Sequence, residues 1–561
     1  MEEYRFTVKY RVDGVLYQTH KERCVHYTID KIVTDDNIKL IVNPRVDMQM
    51  LEISLDCPHA SDDSEVFFAN GFQAWTTSRE YRKTDVSQVY CTPLRHLGKM
   101  ADDFVTCSGD YRFFTPDKGA GHFHSWTYTY YKKDGKLEFY GSASERNGYT
   151  VFVADMVESN FAIRKDIEGK TLAANEPYEA INVLRFAGEY DEVFDKYFAA
   201  LGVAKPRITR MSGYTSWYNY FKNITEDIIV RDIEGLTRAG DSANIFQIDD
   251  GFMTKVGDWT TLKECFPNGM RYLTDKIHEK GYNAGLWLAP FNCTMGSQVY
   301  KEHKDWLIMH DDKPVRGLFA RFNAFAFDMY NEEFRAHIKE VFRVVFEDWG
   351  FDMVKLDFLY SQAMFPRNGK TRGEIMCDAI DFLRECCGDK LFLGCGVPLG
   401  AGFGIFDACR VGCDVAKEYE GTYVNRLKLA AEVPSAQNSI VNAIFRRHLN
   451  GRAFVNDPDV FFLRDFNIKF TMDQKLLLGF VNHLCGGVLF VSDDVGKYDD
   501  ECLRYVKYFF GDSKAKILSA DYVGTDDIEL VFERGGKTNT LRFNLKTGES
   551  NVRDLIELPV Q

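Results

Sequence analysis

The segment Asn331–Asp357, NEEFRAHIKEVFRVVFEDWGFDMVKLD, predicts one helix followed by one strand. Asn331 is a residue type that caps helix N-termini, and Gly350 is a residue type that ends helices. We therefore predict a helix over Glu332–Trp349 and a buried strand over Met353–Asp357 that ends in a carboxylate. The apolar side chains of the helix fall on one face at helical spacing: Phe334, Ile338, Val341, Phe342, Val345 and Trp349.

The same alternation of short apolar runs and helical patterns continues from Tyr214 to about Asp494. Eight such units over about 280 residues match a (β/α)8 TIM barrel in number and size. A doubly wound open sheet gives a similar alternation, so the periodicity alone leaves both folds open. The predicted strands are Tyr214–Tyr218, Asn244–Asp249, Asn283–Leu288, Met353–Asp357, Leu391–Gly394, Ala408–Cys413, Ala453–Asn456 and Gly487–Ser492.

Period-two alternation of apolar residues, which is typical of half-buried strands, occurs on both sides of this region. We predict an N-terminal β-sandwich over residues 1–195, the barrel over residues 196–505 and a small C-terminal β-domain over residues 506–561. The supporting residues are Tyr4, Phe6, Val8, Tyr10 and Val12; Trp126, Tyr128 and Tyr130; the hairpin turn Asp134-Gly135; and Leu530, Phe532, the turn Gly535-Gly536, Leu541 and Phe543.

The composition is that of a globular protein with an acidic balance. Hydrophobic residues make up 45% and charged residues 27%, and the net charge is −14 without a long run of Lys or Arg. Nucleic-acid binding needs a basic face that neutralises phosphates, so we expect a small-molecule partner and no nucleic acid. The aromatic share of 14% suits both stacking on sugars and packing in a β-sandwich.

The N-terminus and the cysteines favour a cytoplasmic location. Met1–Phe6 has neither a basic nor an apolar signal region, so no signal peptide is expected. The most apolar stretch, Leu476–Val491, is interrupted by Asn482 and His483 and is too short for a membrane span, so no membrane partner is expected. The 14 cysteines are scattered without CxxC pairs, as is typical of free thiols. Assembly into a homo-oligomer remains open.

No cofactor motif is present in the sequence. The 12 histidines form no cluster with metal-ligand spacing. A P-loop, a GxGxxG after a strand and a GxSxG motif are all missing. We therefore expect neither a cofactor nor a bound metal.

Charged residues close three of the predicted strands. They lie in Ile248-Asp249-Asp250-Gly251, in Lys355-Leu356-Asp357 and in Arg410-Val411-Gly412-Cys413-Asp414. A single Asp after a strand is commonly only a helix cap. Reactive side chains of TIM barrels come from the carboxyl ends of the strands and converge on one site. Three charged strand ends in one barrel therefore favour an active site.

The pair Asp357 and Asp414 has the residue types that glycoside hydrolysis needs. Two carboxyl groups about 5–5.5 Å apart give retention of configuration, whereas about 6.5–9.5 Å gives inversion, and the spacing in sequence decides neither. Lys355 points to the same side of its strand as Asp357 and favours the ionised carboxylate. Trp217 and Trp287 lie near the ends of predicted strands and are suited either to stacking on a sugar or to packing.

Nine motifs in order resemble glycoside hydrolase family 36, an α-galactosidase family of clan D, in a short bacterial-type form. They cover residues 210–495, and the flanking β regions resemble the family's N-terminal supersandwich and C-terminal β-domain. The motifs are GYTSWYNYF (213–221), IDDG (248–251), GDW (257–259), FPNGM (266–270), GLWLAPF (285–291), KLDFLY (355–360), GCGVPL (394–399), RVGCD (410–414) and NDPD (456–459), followed by SDD (492–494).

The resemblance implies a role for each matching residue. Asp357 matches the nucleophile and Asp414 the general acid/base, so the implied activity is a retaining exo-α-galactosidase that acts by double displacement. The implied sugar-binding residues are Asp249 and Asp250 for the 4- and 6-hydroxyls, Lys355 for ring hydroxyls, Arg410 near the 2-hydroxyl, Trp287 as a wall, Cys395 and Gly396 beside C2, and Trp75 of the NGFQAW segment (70–75) as a lid. Ala74 and Cys413 depart from the family pattern, which affects local loop shape rather than mechanism.

Other functions remain open at this point. An α-N-acetylgalactosaminidase would use the same scaffold, since its substrate differs only at C2. Transglycosylation would use the same covalent intermediate. A divalent-metal barrel enzyme would use Asp249, Asp250 and Asp357 as oxygen ligands, and a non-catalytic sugar-binding protein would use the pocket without turnover.

Overall fold

The computed structural model describes residues 4–91, 110–317, 323–421 and 434–558. The chain divides into two compact units. The first consists of Met1–Val203, Gln362–Asp381 and Pro398–Phe403, and the second of Ala204–Ser361, Phe382–Val397 and Gly404–Gln561.

The first unit contains two seven-stranded antiparallel sheets, which confirms the predicted N-terminal β-sandwich. Its core is formed by alternate side chains of the strands, because successive residues of a strand point to opposite faces. Phe6, Val8 and Tyr10 are buried in this core as the alternation predicts. In spatial order, one sheet has Val15–Thr19, Arg5–Val12, Met48–Pro58, Asn160–Lys165, Thr150–Asp155 and His122–Trp126, with Thr171–Leu172 paired to Met48–Pro58; the other has Tyr27–Val33, Asn37–Pro44, Tyr178–Glu189, Lys136–Ser142, Tyr128–Lys133, Val66–Ala69 and Arg79–Arg82.

Trp126, Tyr128 and Tyr130 all lie in strands, as their alternation predicts, but they do not share one strand. Trp126 ends the strand His122–Trp126 in one sheet, and Tyr128 begins a strand of the other sheet. Thr127 between them has a φ of 70°, in the left-handed region that breaks an extended chain. Alternation of large side chains does not reveal such a single-residue break.

Both predicted hairpins are confirmed. Asp134 and Gly135 have φ angles of 50° and 77° and connect Lys133 to its antiparallel partner Lys136. This combination of positive angles is the type I′ turn that suits the twist of paired strands. Gly535-Gly536 likewise connects the second and third strands of the C-terminal sheet.

The second unit is built on a parallel sheet of nine strands with helices between them, a TIM-like half-barrel. Seven strands lie in chain order across the sheet, and the last barrel strand, Val488–Val491, pairs in parallel with the first, Met211–Thr215. A doubly wound sheet reverses its strand order at a switch point, and this sheet does not. The spatial order is Val455–Asp457, Ala408–Arg410, Leu391–Gly394, Met353–Leu356, Asn283–Leu288, Ile245–Ile248, Met211–Thr215, Val488–Val491 and Val460–Phe461.

Three predicted barrel strands need correction. The first was expected to reach Tyr218 but ends at Thr215, because Trp217–Tyr220 is a short helix. The sixth was expected over Ala408–Cys413 but ends at Arg410. The seventh was expected over Ala453–Asn456 but is observed over Val455–Asp457; it ends before Pro458, which cannot donate to the ladder, and a separate strand follows over Val460–Phe461.

The helix predicted over Glu332–Trp349 begins at Glu332, as expected. The Asn331 side chain accepts a hydrogen bond from the Phe334 amide and caps it. The α-helix extends over Glu332–Arg343 and continues as a π-helical turn over Val344–Asp348, before Gly350 with a φ of 81°. Amphipathic spacing predicts the extent of this helix but not the change in winding.

The remaining helices and small sheets complete both units. Asp110–Phe113 and Tyr190–Ala200 belong to the first unit, and Arg372–Cys387 contributes residues to both. In the second unit the further helices are Glu226–Leu236, Gly269–Glu279, Gln298–Glu302, Ala436–Phe445, Met472–Cys485, Asp500–Phe510 and Val552–Leu555; the C-terminal sheet is Ala515–Tyr522, Asp527–Arg534 and Lys537–Asn544; and two short hairpins pair Asn292–Thr294 with Ala324–Ala326 and Met309–His310 with Lys313–Pro314.

Within the described ranges, the helices are all too short or too polar to cross a membrane.

Candidate active site

Charged side chains follow the carboxyl ends of three alternate strands of the parallel sheet. Asp249 and Asp250 follow Ile245–Ile248, Asp357 follows Met353–Leu356, and Asp414 lies four residues beyond the end of Ala408–Arg410. Carboxyl ends of parallel strands lie on the same edge of a sheet, so these side chains point into one region.

One oxygen of Asp249 accepts from three donors that lie on three different strands of the sheet. Its Oδ2 accepts hydrogen bonds from Lys355 Nζ at 2.9 Å, Gln247 Nε2 at 2.8 Å and Thr215 Oγ1 at 3.3 Å. Burial is the largest single influence and lowers the pKa of Lys355, but the charges of Asp249 and, more weakly, Asp357 together with Cys395 raise it above its usual range. The Lys355 ammonium is therefore held in place against Asp249.

Asp250 lies beside Asp249 and pairs with a different lysine. Lys222 Nζ is 3.3 Å from Asp250 Oδ2. Burial raises the pKa of Asp250, which Lys222 opposes and the neighbouring Asp249 reinforces. Gly251 has a φ of 127°, and a Cβ there would lie 2.9 Å from Lys222 Cα, so the turn after the strand requires glycine.

Asp357 is buried, with 7% of the residue exposed, and both of its oxygens accept hydrogen bonds. Trp287 Nε1 donates to Oδ2 at 3.0 Å and the Phe358 amide donates to Oδ1 at 2.7 Å. Burial raises the pKa of Asp357; Lys355 opposes this shift and the charge of Asp414 adds to it. The expectation that Lys355 favours ionisation is correct in sign, but burial outweighs it.

Asp414 is more open, with 36% of its side chain exposed, and it pairs with Arg410 Nη1 at 2.9 Å. The influence of Asp414 on the pKa of Asp357 means that the two carboxyl groups lie within electrostatic reach. Asp414 is open to solvent and Asp357 is buried, so the two carboxyl groups lie in different environments. Different environments allow two carboxyl groups to take different roles in acid/base chemistry.

Arg410 contacts two further acids whose role the sequence did not indicate. Nε is 3.2 Å from Asp457 Oδ2, and Nη2 is 2.7 Å from Asp459 Oδ1. Asp459 also accepts from the Tyr218 hydroxyl. The NDPD motif contains both acids, but sequence spacing gave no reason to connect it with Arg410.

Cys395 and Gly396 lie against Asp357, as their assignment beside the sugar requires. The Cys395 thiol is buried and close enough to the Asp357 carboxylate to lower the pKa of Asp357. Gly396 has a φ of 55°, and a Cβ there would lie 2.9 Å from the Phe358 amide nitrogen and 3.1 Å from Asp357 Oδ1. A side chain at residue 396 would therefore push on the carboxylate.

The three candidate tryptophans have different surroundings. Trp287 contacts Asp357 directly and also packs edge-on against Trp259, with ring centroids 6.0 Å apart. Trp217 is half-buried and packs edge-on against Phe221 at 5.0 Å. Trp75 is buried and belongs to the first unit, so its function as a lid stays a prediction.

The donor set does not suit a metal ion. Among the residues that the structure describes, His, Cys, Asp and Glu side chains form no group of three or more placed to hold one. Lys355 Nζ binds the Asp249 oxygen that the alternative metal site would need.

Comparison with known proteins gives a family match inside the barrel. The Melibiase family model matches residues 218–372. Over 149 residues the chain is 33% identical to an A type blood α-D-galactosamine galactosaminidase from Flavonifractor plautii and 29% identical to α-galactosidase Mel36A from Lactobacillus acidophilus. Each match covers 25% of this chain, and 14% and 20% of these relatives, respectively.

Solved structures match over nearly the whole chain. TtGalA, an α-galactosidase from Thermus thermophilus, has a TM-score of 0.68 at 22% identity, covering 95% of this chain and 98% of that one. The family 36 α-galactosidase AgaA from Geobacillus stearothermophilus has a TM-score of 0.61 at 11% identity, covering 96% and 81%. These likenesses establish the fold. Together with the Melibiase match, they confirm the resemblance of this chain to the α-galactosidases of glycoside hydrolase family 36.

Proposed function

We propose that this protein is a retaining exo-α-galactosidase that releases terminal α-linked galactose by double displacement, with Asp357 as nucleophile and Asp414 as general acid/base. The observation that carries the proposal is the contrast between the two carboxyls. Asp357 is buried and fixed by Trp287 and the Phe358 amide, whereas Asp414 is partly exposed and pairs with Arg410.

In the first step, an oxygen of Asp357 attacks the anomeric carbon while the bond to the departing oxygen breaks. Asp414 gives its proton to that oxygen, so the leaving group departs as a neutral alcohol. In the second step, Asp414 takes a proton from water, the water oxygen bonds to the anomeric carbon, and the ester bond to Asp357 breaks. Two inversions give net retention, which requires a carboxyl separation of about 5–5.5 Å.

The fixed charges on the opposite side of the site suit a galactose ring. Asp249 and Asp250 offer acceptors for the 4- and 6-hydroxyls, and Lys355 offers a donor for a ring hydroxyl while it stays bound to Asp249. A site built from buried hydrogen-bonding groups discriminates strongly against an epimer, because the epimer leaves these groups unpaired. Trp287 would form a wall of the subsite, with Trp75 and Trp217 as further contacts.

The proposed function goes with a closed barrel, divided from its flanking domains as predicted. We infer that Val455–Asp457 and Val460–Phe461 are two halves of the seventh strand of a closed (β/α)8 barrel. Each half pairs with a different neighbour, Ala408–Arg410 on one side and Val488–Val491 on the other. The domain limits proposed with it are residues 1–195, 196–505 and 506–561.

Small α-galactosides are the proposed substrates. The structural relatives include TtGalA in complex with stachyose and a variant of AgaA in complex with raffinose. The test is hydrolysis of an aryl α-galactoside, with proton NMR of the first sugar released. α-Galactose as the first product supports the proposal; β-galactose, or no turnover of any α-galactoside, contradicts it.

α-N-Acetylgalactosaminidase activity is the second candidate. The galactosaminidase relative favours it, as do the small residues Cys395 and Gly396 at the position assigned to C2. Comparison of kcat/KM for the p-nitrophenyl glycosides of galactose and N-acetylgalactosamine decides between the two. A preference for the acetamido sugar would replace the first proposal but keep the same catalytic carboxyls.

A further inference from the structure

Arg410 is shared by three carboxylates. Its guanidinium contacts Asp414 through Nη1 at 2.9 Å, Asp457 through Nε at 3.2 Å and Asp459 through Nη2 at 2.7 Å. Arg410, Asp457 and Asp459 are all buried, so solvent screens these contacts weakly. The positive charge is therefore divided between Asp414 and two acids that have no contact with solvent.

Asp459 is held in place by its backbone and by both carboxylate oxygens. It follows Pro458 at the interruption of the seventh strand and has a φ of 75°, which is unusual for a non-glycine residue. Oδ2 accepts from the Val415 amide at 2.7 Å and from the Tyr218 hydroxyl. Asp459 thus reaches the neighbourhood of Asp414 by two routes: the shared guanidinium and the amide of the next residue.

We propose that Asp459 is a positioning residue that keeps Asp414 able to hold its catalytic proton, by drawing the charge of Arg410 away from it. This inference rests on the proposed function, in which Asp414 is the general acid/base. A guanidinium that faced Asp414 alone would favour the carboxylate and oppose the acid form. A second carboxylate on the same guanidinium reduces that effect and adds a repulsion of its own.

The charge balance around Asp414 supports this sign. Arg410 is the cation in contact with it, and Asp357 and Asp459 are the neighbouring acids. Burial raises the pKa of Asp459 to about 7 and Arg410 opposes that shift, so Asp459 carries its negative charge above about pH 7, where the basic limb is measured. Burial raises the pKa values of the neighbouring thiols and phenol, so these groups stay neutral. The groups that face Asp414 or interact with it are Arg410 and Cys413 from its own strand end, Asp357, Cys395, Tyr218 and Asp459.

The test is Asp459→Asn in the full-length protein, which keeps the shape of the side chain and removes its charge. We expect the basic limb of the pH profile of kcat/KM to move to lower pH by about 1 unit for an alkyl α-galactoside, whose leaving group needs a proton. At pH values above the basic limb, a shift of this size lowers kcat/KM about tenfold. 2,4-Dinitrophenyl α-galactoside needs no proton to depart, so its loss should be several-fold smaller.

Asp407→Asn is the matched control. Asp407 is a buried acid in the same unit that pairs with two arginines, Arg207 and Arg384. This variant loses the same type of interaction without touching Arg410, so its basic limb should coincide with that of the wild type. A downward shift in both variants would assign the effect to general loosening of the barrel and overturn the inference.

Tyr218→Phe provides a second variant if Asp459→Asn does not fold. It removes one donor to Asp459 and keeps the aromatic ring, so we expect a smaller shift in the same direction. If the wild type hydrolyses α-galactosides but the basic limb of a folded variant stays unchanged or moves to higher pH, this inference is wrong while the proposed function stands. A wild type without turnover overturns the proposed function and this inference with it.

Discussion

The hydrogen bond from Trp287 to Asp357 gives a prediction whose size can be worked out. Trp287 Nε1 donates to Asp357 Oδ2 at 3.0 Å inside the barrel. A hydrogen bond to a charged group contributes about 1.5–3 kcal/mol, roughly twice as much as one to a neutral group. The ionised carboxylate therefore gains about 0.7–1.5 kcal/mol over the protonated form, which equals about 0.5–1 pH unit.

Trp287→Phe removes this donor and keeps an aromatic wall. Asp357 must be ionised to attack, and burial already raises its pKa. Loss of the donor raises it further, so the acid limb of the pH profile of kcat/KM should move up by about 0.5–1 unit. The rate should fall roughly 3- to 10-fold below the limb and recover at higher pH. The assay is hydrolysis of an aryl α-galactoside from pH 3.5 to about pH 8.

Trp259→Phe is the control for this variant. The Trp259 ring packs edge-on against Trp287, so the change disturbs the same aromatic pair but keeps the donor to Asp357. Its acid limb should coincide with that of the wild type. A loss in Trp287→Phe that is equal at every pH, or a limb that moves equally in both variants, would refute the reasoning.

Three further predictions follow from other contacts. Asp357→Ala should remove almost all turnover, and azide should restore it with formation of β-galactosyl azide; appreciable activity without azide would rule out the nucleophile. Gly396→Ala should lower kcat/KM, because its Cβ would lie 3.1 Å from Asp357 Oδ1. Gly388→Ala, with a similar φ of 52° and open space around it, should cost similar stability, about 1–2 kcal/mol, without this loss of rate. Burial lowers the pKa of His483 to about 4, so the unfolded chain binds its proton first as the pH falls. His483 should therefore contribute a drop of about 3 kcal/mol in the free energy of unfolding between pH 6.5 and pH 4, which chemical denaturation would measure as the difference between the wild type and His483→Gln.

The sequence predicted the parts of the fold that depend on periodicity. Glu332–Arg343 has its apolar residues on one face, and Arg5–Val12 alternates, so burial of one side of each element could be deduced. Thr127 and Pro458 break strands by the conformation of one residue. Such breaks depend on tertiary contacts that hydrophobic spacing does not encode.

The sequence likewise predicted some residues of the candidate site and missed one of its contacts. Asp249, Asp357 and Asp414 were predicted because acids at strand ends have a recognisable position in the chain. The contact of Asp459 with Arg410 was missed, because Arg410 lies 49 residues earlier in the sequence. A contact between distant residues becomes visible only when the strands are placed side by side.

The close approach of Gly396 to the carboxylate restricts how this protein could be redesigned for another sugar. Enlarging residue 396, which is proposed to lie beside C2, would disturb Asp357, the proposed nucleophile. Libraries that vary Cys395, and leave the glycine untouched, offer the better starting point for a change in selectivity.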